Sequence, residues 1–369
     1  MLFMPVIVLF YKDNGLNMQQ IFTLLAIGSL TTVILEIPSG YLADLWGRKN
    51  TILVGCIADF AGFIIYSISS NFWGFGIGEL LLGIGQSMVS GADSAILYDT
   101  LAEEKKEKEY LKNEGKMVSV GNFAESIAGI IGGLLASVSL RLPFIVQIGI
   151  TSIAIPASAL LYEPKIHKFQ TLNRLNNLLH IIKDSLLIDK KLQIVILYSS
   201  MIGSATLTMA WFVQPFFNKI NIPLPIYGIL WSLLNASVGL TAFSSHKLLK
   251  IFNIKNSLLL ITLLIPILYL LLGINMNKWA ISLIFIFYLI RGFATPLLKD
   301  MLNKIAPSGI RATILSIRNL IIRLIFSIIG PILGWISDNF NLSSAFVFAG
   351  IFYLIALIAL LIILFKRDK

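Results

Sequence analysis

Ionisable side chains within the long apolar stretches of this 369-residue chain include Asp59, Glu79, Asp93 and Glu125 in the first half and Arg291, Arg318 and Arg323 in the second. An ionised group in hydrocarbon costs several kcal/mol unless it is paired or solvated, so such residues mark proton relays, ion pairs or binding sites. A carboxyl group can take up and release a proton. An arginine cannot, and is left to bind an anion or balance a carboxylate. The acidic first half and basic second half point to ion pairs that form or break between the halves. Glu125 follows Lys116 by nine residues, about 14 Å at helical rise and close to the midplane of a bilayer. Arg323 and Arg291 have comparable depths, twelve residues beyond Arg311 and Trp279. Glu125 is therefore the expected proton-coupling residue, with one of these arginines as its counter-charge.

A second charged group lies between apolar stretches, in the ten residues GYLADLWGRK from Gly40 to Lys49. Two glycines, Gly40 and Gly47, a carboxylate at Asp44 and the basic pair Arg48 and Lys49 make a tight charged turn. The turn resembles the signature between the second and third helices of the major facilitator superfamily of transporters, Gly-x-Leu-Ala-Asp-basic-x-Gly-basic-basic, with Leu45 at the first basic position. The sequence AILYD ends the fourth apolar stretch, and its Asp99 matches the acid that pairs with the basic part of that signature. The resemblance implies a latch in which Asp44 approaches the N-terminus of the eleventh helix, near Ser308 to Ala312, and Arg48 bridges Asp44 to Asp99. Unpaired N–H groups at a helix start favour an anion. Such a latch would close one end of the transporter and hold it outward-open.

Two further matches are looser. Glu79-Leu-Leu-Leu-Gly83-Ile-Gly85 resembles a superfamily motif that begins with Arg, so the charge is reversed here and Glu79 is itself a protonatable candidate. Ala124, Ala128 and Gly132, followed by Gly133, form a small-residue stripe that lets helices approach closely. The stripe falls where antiporters of the superfamily carry a Gly-rich motif with proline, and Gly129 takes the proline position.

The elements that carry these residues are membrane spans. Hydrophobic residues make up 57% of the chain and charged ones 13%, and mean hydropathy is +0.84. Too little polar surface remains to cover a water-soluble fold of this size. Stretches of about 20 apolar residues recur at 19–38, 51–70, 72–97, 117–138, 142–162, 192–216, 225–245, 256–274, 279–298, 311–335 and 343–365. With 1–11 they number twelve. The first rises only about 17 Å, so it reads as an N-terminally truncated helix. No cleavable signal peptide is legible before it. The fold expected is all-α and integral to the membrane, with twelve transmembrane helices.

Basic residues orient the spans. Of 29 Lys and Arg, 22 lie in the loops after even-numbered stretches and in the C-terminal tail. The positive-inside rule places that side, with loop 40–50 and the C-terminus, in the cytoplasm. The net charge of +10 thus encodes topology, and no nucleic-acid partner is expected.

A weak repeat offset by 206 residues lays Tyr11–Leu24 over Phe217–Leu230 and Gly40–Lys49 over His246–Lys255. It divides the chain into a six-helix bundle at 1–162, a cytoplasmic linker at 163–191 and a second bundle at 192–369. Superfamily members are built from two such halves, with substrate near the midplane. In the seventh stretch Met209, Trp211 and Gln214 offer polarizable, aromatic and amide groups to an apolar solute.

Other classes find less support. The three histidines, His167, His180 and His246, lie in or beside loops, and no phosphate loop or metal motif is present, so neither an enzyme nor a metal or other cofactor is expected. The lone Cys56 excludes an internal disulfide. The expectation is a monomeric secondary transporter in a bacterial-type inner membrane, exporting a drug-like amphiphile or metabolite by proton-coupled alternating access. An uptake symporter, or an inactive scaffold resulting from the short first helix, are the alternatives.

Overall fold

The computed structural model describes residues 1–90, 92–106, 109–164, 190–305 and 311–367, and these are predominantly helical, with no strand among them. The helices are α1 (Ile7–Asp13), α2 (Met18–Trp46), α3 (Arg48–Ile68), α4 (Phe72–Ser90), α5 (Asp93–Glu103), α6 (Tyr110–Val138), α7 (Leu142–Ala159), α8 (Lys190–Lys219), α9 (Leu224–Ile274), α10 (Ile281–Ile305), α11 (Arg311–Asn339) and α12 (Leu342–Arg367). Among the described residues ten helical segments are long and apolar enough to cross a membrane, and Phe123–Val138 of α6 is a shorter apolar one. Helices satisfy every backbone group internally, the condition for crossing hydrocarbon.

Several boundaries differ from the sequence expectation: the stretch 1–11 is helical only from Ile7 to Asp13, and three further differences bear on the site. The turn at Gly40–Lys49 shrinks to Gly47 alone, since α2 runs to Trp46 and α3 starts at Arg48. The apolar stretch 72–97 ends as a helix at Ser90, and α5 starts anew at Asp93. The polar stretch 245–256 is a bend rather than a loop. There α9 continues across Asn253, whose φ of 48° and ψ of 168° break the helix at one residue. Asparagine tolerates positive φ, and its Oδ1 accepts the Asn256 N–H at 3.0 Å, restarting the helix.

Two compact units result: Met1–Leu16, Thr23–Asn173 and Pro223–Ile229 make the first; Asn17–Phe22, Arg174–Ile222 and Leu230–Lys369 make the second. In the first, α3 and α4 pack most closely, because glycines seven apart on each helix share one seam. A Cβ on Gly55 would lie 3.0 Å from the Gly85 carbonyl and one on Gly62 3.4 Å from that of Gly78. Beside the seam an aromatic cluster fills the core. Phe10 and Phe144 have ring centroids 4.2 Å apart, and Tyr66 stacks on Phe144 at 5.5 Å.

In the second unit α8 is the central helix, with Ser199, Ser200, Ser204 and Thr208 fully buried. Their hydroxyls tie it to its neighbours: Tyr353 of α12 meets Ser204 at 3.2 Å and Thr208 at 3.0 Å, while Tyr269 of α9 donates to the Ala205 carbonyl at 2.7 Å. Hydroxyl contacts of this kind hold helices together where lipid supplies no hydrophobic drive.

Candidate functional site

Glu79 lies on α4, seven residues beyond Phe72, and is only 8% exposed. Two hydroxyls reach its Oε1: Tyr66, near the end of α3, donates at 2.7 Å and Tyr11, on α1, at 2.9 Å. The two tyrosine hydroxyls also contact each other. Both rings are fully buried in the aromatic cluster, so neither hydroxyl has water as an alternative partner. Gly28 of α2 completes the pocket, since a Cβ there would overlap the Glu79 carboxylate. Among the described residues no cation lies within ion-pair distance of Glu79. As a carboxylate it accepts two hydroxyl hydrogen bonds, and as an acid it can donate one back, so both protonation states have partners. The hydroxyl partners escaped the sequence reading because tyrosines at helical spacing read as apolar core.

A second constellation surrounds Gly47. Its φ of 95° is a conformation only glycine adopts freely, and a Cβ would also come within 2.9 Å of the Glu163 carboxyl group. Glu163 accepts the backbone N–H groups of Arg48 at 2.9 Å and Lys49 at 2.7 Å, capping the first turn of α3. Arg48 in turn reaches Asp99 of α5, Nε to Oδ2 at 3.4 Å. The structure thus brings together Gly47, Arg48, Lys49 and Asp99, and adds Glu163, which composition assigns to the linker. Gly40 lies in the last turns of α2 with open space around it. The Asp44 side chain and residues 306–310 lie outside the described residues, and with them the expected contact at the start of the eleventh helix.

The other sequence candidates are dispersed. Asp59 stands in the α3–α4 seam, where its carboxylate occupies the space a Cβ on Gly85 would need. Asp93 opens α5 and accepts the Ser94 N–H at 2.6 Å. Glu125 of α6 has a side chain 40% exposed and pairs with the Met1 amino group. Arg291 lies over the Tyr288 ring, 5.5 Å from its centroid. Arg323 is half-buried on α11, and Arg318 is buried, donating to Ser199 and, at 3.3 Å, to Asn319.

On α8, Met209 and Gln214 are buried and Trp211 is half-exposed. Along α6, Ala124 is exposed and Ala128 half-buried, while Gly132 and Gly133 are buried. A Cβ on Gly132 would overlap the Leu2 carbonyl, and one on Gly133 would sit 2.9 Å from the Gly228 nitrogen. Among the described residues no group of three His, Cys, Asp or Glu side chains is arranged to hold a metal ion.

Known proteins carry the same architecture. NorA of Staphylococcus aureus, named as a quinolone resistance protein, is 28% identical over 165 residues, which is 44% of this chain and 42% of NorA. The chain therefore matches less than half the length of that relative. YxaM of Bacillus subtilis, named as an uncharacterized MFS-type transporter, is 22% identical across 100% of this chain and 93% of its own length. Among solved structures, the nucleoside transporter NupG superimposes with a TM-score of 0.81 at 13% identity, covering 98% of this chain and 93% of NupG. That likeness establishes the fold. The pattern defining the Major Facilitator Superfamily matches residues 1–331, and with twelve apolar stretches and the Gly40–Lys49 signature in the same chain, this multi-pass membrane protein belongs to that superfamily of transporters.

Proposed function

We propose that the protein exports a small amphiphilic organic solute across the cell membrane by alternating access, driven by protons that Glu79 binds and releases. The observation that carries this reading is the Glu79 pocket: a carboxyl group buried at membrane depth, partnered by two tyrosine hydroxyls and by no cation among the described residues. A permanently charged side chain in such a place would be a standing cost. One that alternates between carboxylate and acid gives each state its own partners and links a proton to the conformational cycle. Glu125 is the alternative proton carrier in this unit: its side chain is 40% exposed and its charge partner is the Met1 amino group.

The Arg48–Asp99 pair and the Glu163 cap support the latch reading of the signature. They order the start of α3, where Asp44 and the eleventh helix are proposed to meet in the outward-open state. The basic loops favour the cytoplasm for this end of the protein.

The quinolone named for NorA is the first solute to try. In proteoliposomes containing the full chain, an imposed proton gradient should drive a fluorescent quinolone against its concentration gradient, and collapse of the gradient should stop it. Uptake that ignores the proton gradient would overturn the coupling, and absence of flux for quinolones and other amphiphiles would overturn the export reading.

A further inference from the structure

We infer that Arg318, Ser199 and Lys299 form a binding site for an anionic oxygen group, a carboxylate or phosphate, within the second unit. Arg318 sits on α11 seven residues after Arg311, Ser199 on α8 nine residues after Lys190, and Lys299 on α10 six residues before Ile305. At about 1.5 Å per residue Arg318 and Ser199 lie about 10–14 Å from the starts of their helices and Lys299 about 9 Å from the end of its own, and because α10 leads into α11 these ends share one side of the unit. Arg318 is 94% buried, its exposure being 6%. Its Nε donates to the fully buried Ser199 hydroxyl and its Nη1 donates to Asn319 Oδ1 at 3.3 Å. Its backbone carbonyl accepts the Ser200 hydroxyl at 3.2 Å, which fixes the arginine's turn of α11 against α8.

Gly203 of α8 lies beside the guanidinium: a Cβ there would stand 3.5 Å from Nη2, an ordinary contact, while the space it would need is taken by the Ile322 side chain of α11. Lys299 is exposed and lies within Coulombic range of Arg318.

The charge balance makes this a site rather than an internal ion pair. Among the described residues no carboxylate reaches Arg318. The nearest acid in sequence to Lys299, Asp300, is bound to Lys304 at 2.6 Å on the exposed side of α10. Two cations that repel each other, one buried and one at the rim, are stabilised together by an anion that both can reach. A guanidinium offers a planar fork that fits two oxygens of one carboxylate or phosphate, and a lysine ammonium adds a compact charge. The anion comes either with the transported solute or from a lipid headgroup. In the first case the solute class narrows to amphiphiles bearing an acidic group, a conclusion that rests on the transporter reading above.

The test uses the full chain purified in neutral detergent. Inorganic phosphate and benzoate are titrated against thermal stability at constant ionic strength, in wild type, Arg318→Gln and Lys299→Gln. Phosphate or benzoate should raise the melting temperature of wild type, with affinity at least tenfold weaker in Lys299→Gln and lost in Arg318→Gln. Lys299 is exposed, so its variant remains informative if Arg318→Gln does not fold.

A second arm compares nanodiscs of phosphatidylcholine with and without phosphatidylglycerol. Stabilisation by phosphatidylglycerol that is lost in Lys299→Gln assigns the site to lipid, while stabilisation by benzoate alone assigns it to the solute. Equal responses of wild type and both variants, or no response of wild type to any of the three anions, would overturn the inference. Binding is read without a proton gradient, so its failure is separate from failure of the proposed transport.

Discussion

Tyr66 and Glu79 lie thirteen residues apart on consecutive helices, and the tyrosine hydroxyl donates to the carboxylate across the α3–α4 seam at 2.7 Å. The close approach depends on small residues: Gly78, beside Glu79, packs directly against the Tyr66 ring. Sequence sets the glycine spacing, the spacing sets the helix separation, and the separation puts a hydroxyl on a buried acid. Tyr11 completes the arrangement from α1, on the same oxygen.

Removing one hydroxyl leaves the acid with one donor, and removing both leaves it with none of these. Tyr66→Phe or Tyr11→Phe should each lower stability by about 1–3 kcal/mol, the range for an unsatisfied buried polar group. The double variant should lose less than the sum, because the hydroxyls also bond each other and act as one network. Thermal unfolding of the purified protein reads both outcomes, and strict additivity would speak against a shared network.

Gly28→Ala should destabilise the protein through overlap with the Glu79 carboxylate. Shortening the acid should relieve that overlap, so adding Glu79→Ser to Gly28→Ala should recover part of the loss despite the cavity it leaves. Contacting residues couple by about 0.5–3 kcal/mol in such cycles. A cycle with no coupling would remove Gly28 from the pocket.

At the start of α3, Gly47→Ala meets both a positive φ and the Glu163 carboxyl group. It should cost about 1–2 kcal/mol from the left-handed backbone alone, and more from the clash. Glu163→Ala removes the cap and should cost about 1 kcal/mol. Expression and thermal unfolding check both, and a stable Gly47→Ala protein would contradict the geometry around the signature.

The Arg48–Asp99 pair is about one-fifth exposed on each side, at 22% and 19%, so its contribution to stability should be about 1 kcal/mol or less. Its proposed role lies in the switch. Asp99→Asn should leave the melting temperature nearly unchanged and raise the labelling rate of a thiol engineered near the start of α3, read on a background lacking Cys56. Unchanged labelling in both Asp99→Asn and Asp44→Asn would remove the latch.

Much of this architecture is legible in the residues. The apolar stretches locate the spans because hydrocarbon demands about 20 apolar residues for each, and Glu79 is recognisable as a charge where charge is expensive. The partners are not legible. Tyr11 and Tyr66 count as core until tertiary packing brings their hydroxyls to one oxygen. Glu163 caps α3 from 115 residues away, and no periodicity announces a long-range cap. The turn at Gly40–Lys49 reads as loop because it is polar and Gly-rich, yet its charges sit on the ends of α2 and α3, leaving one glycine to make the corner. At 245–256 the polar residues again decorate a helix, with Asn253 absorbing the bend.

The central claim, that Glu79 carries the coupled proton, is tested most directly by Glu79→Gln in proteoliposomes. Glutamine keeps a carbonyl acceptor for the tyrosine hydroxyls and cannot exchange a proton, so the variant should fold with a melting temperature close to that of wild type. It should retain solute exchange at equal pH on both sides and lose at least tenfold of the flux driven by an imposed proton gradient. Gradient-driven flux equal to wild type in a folded Glu79→Gln protein would contradict the account.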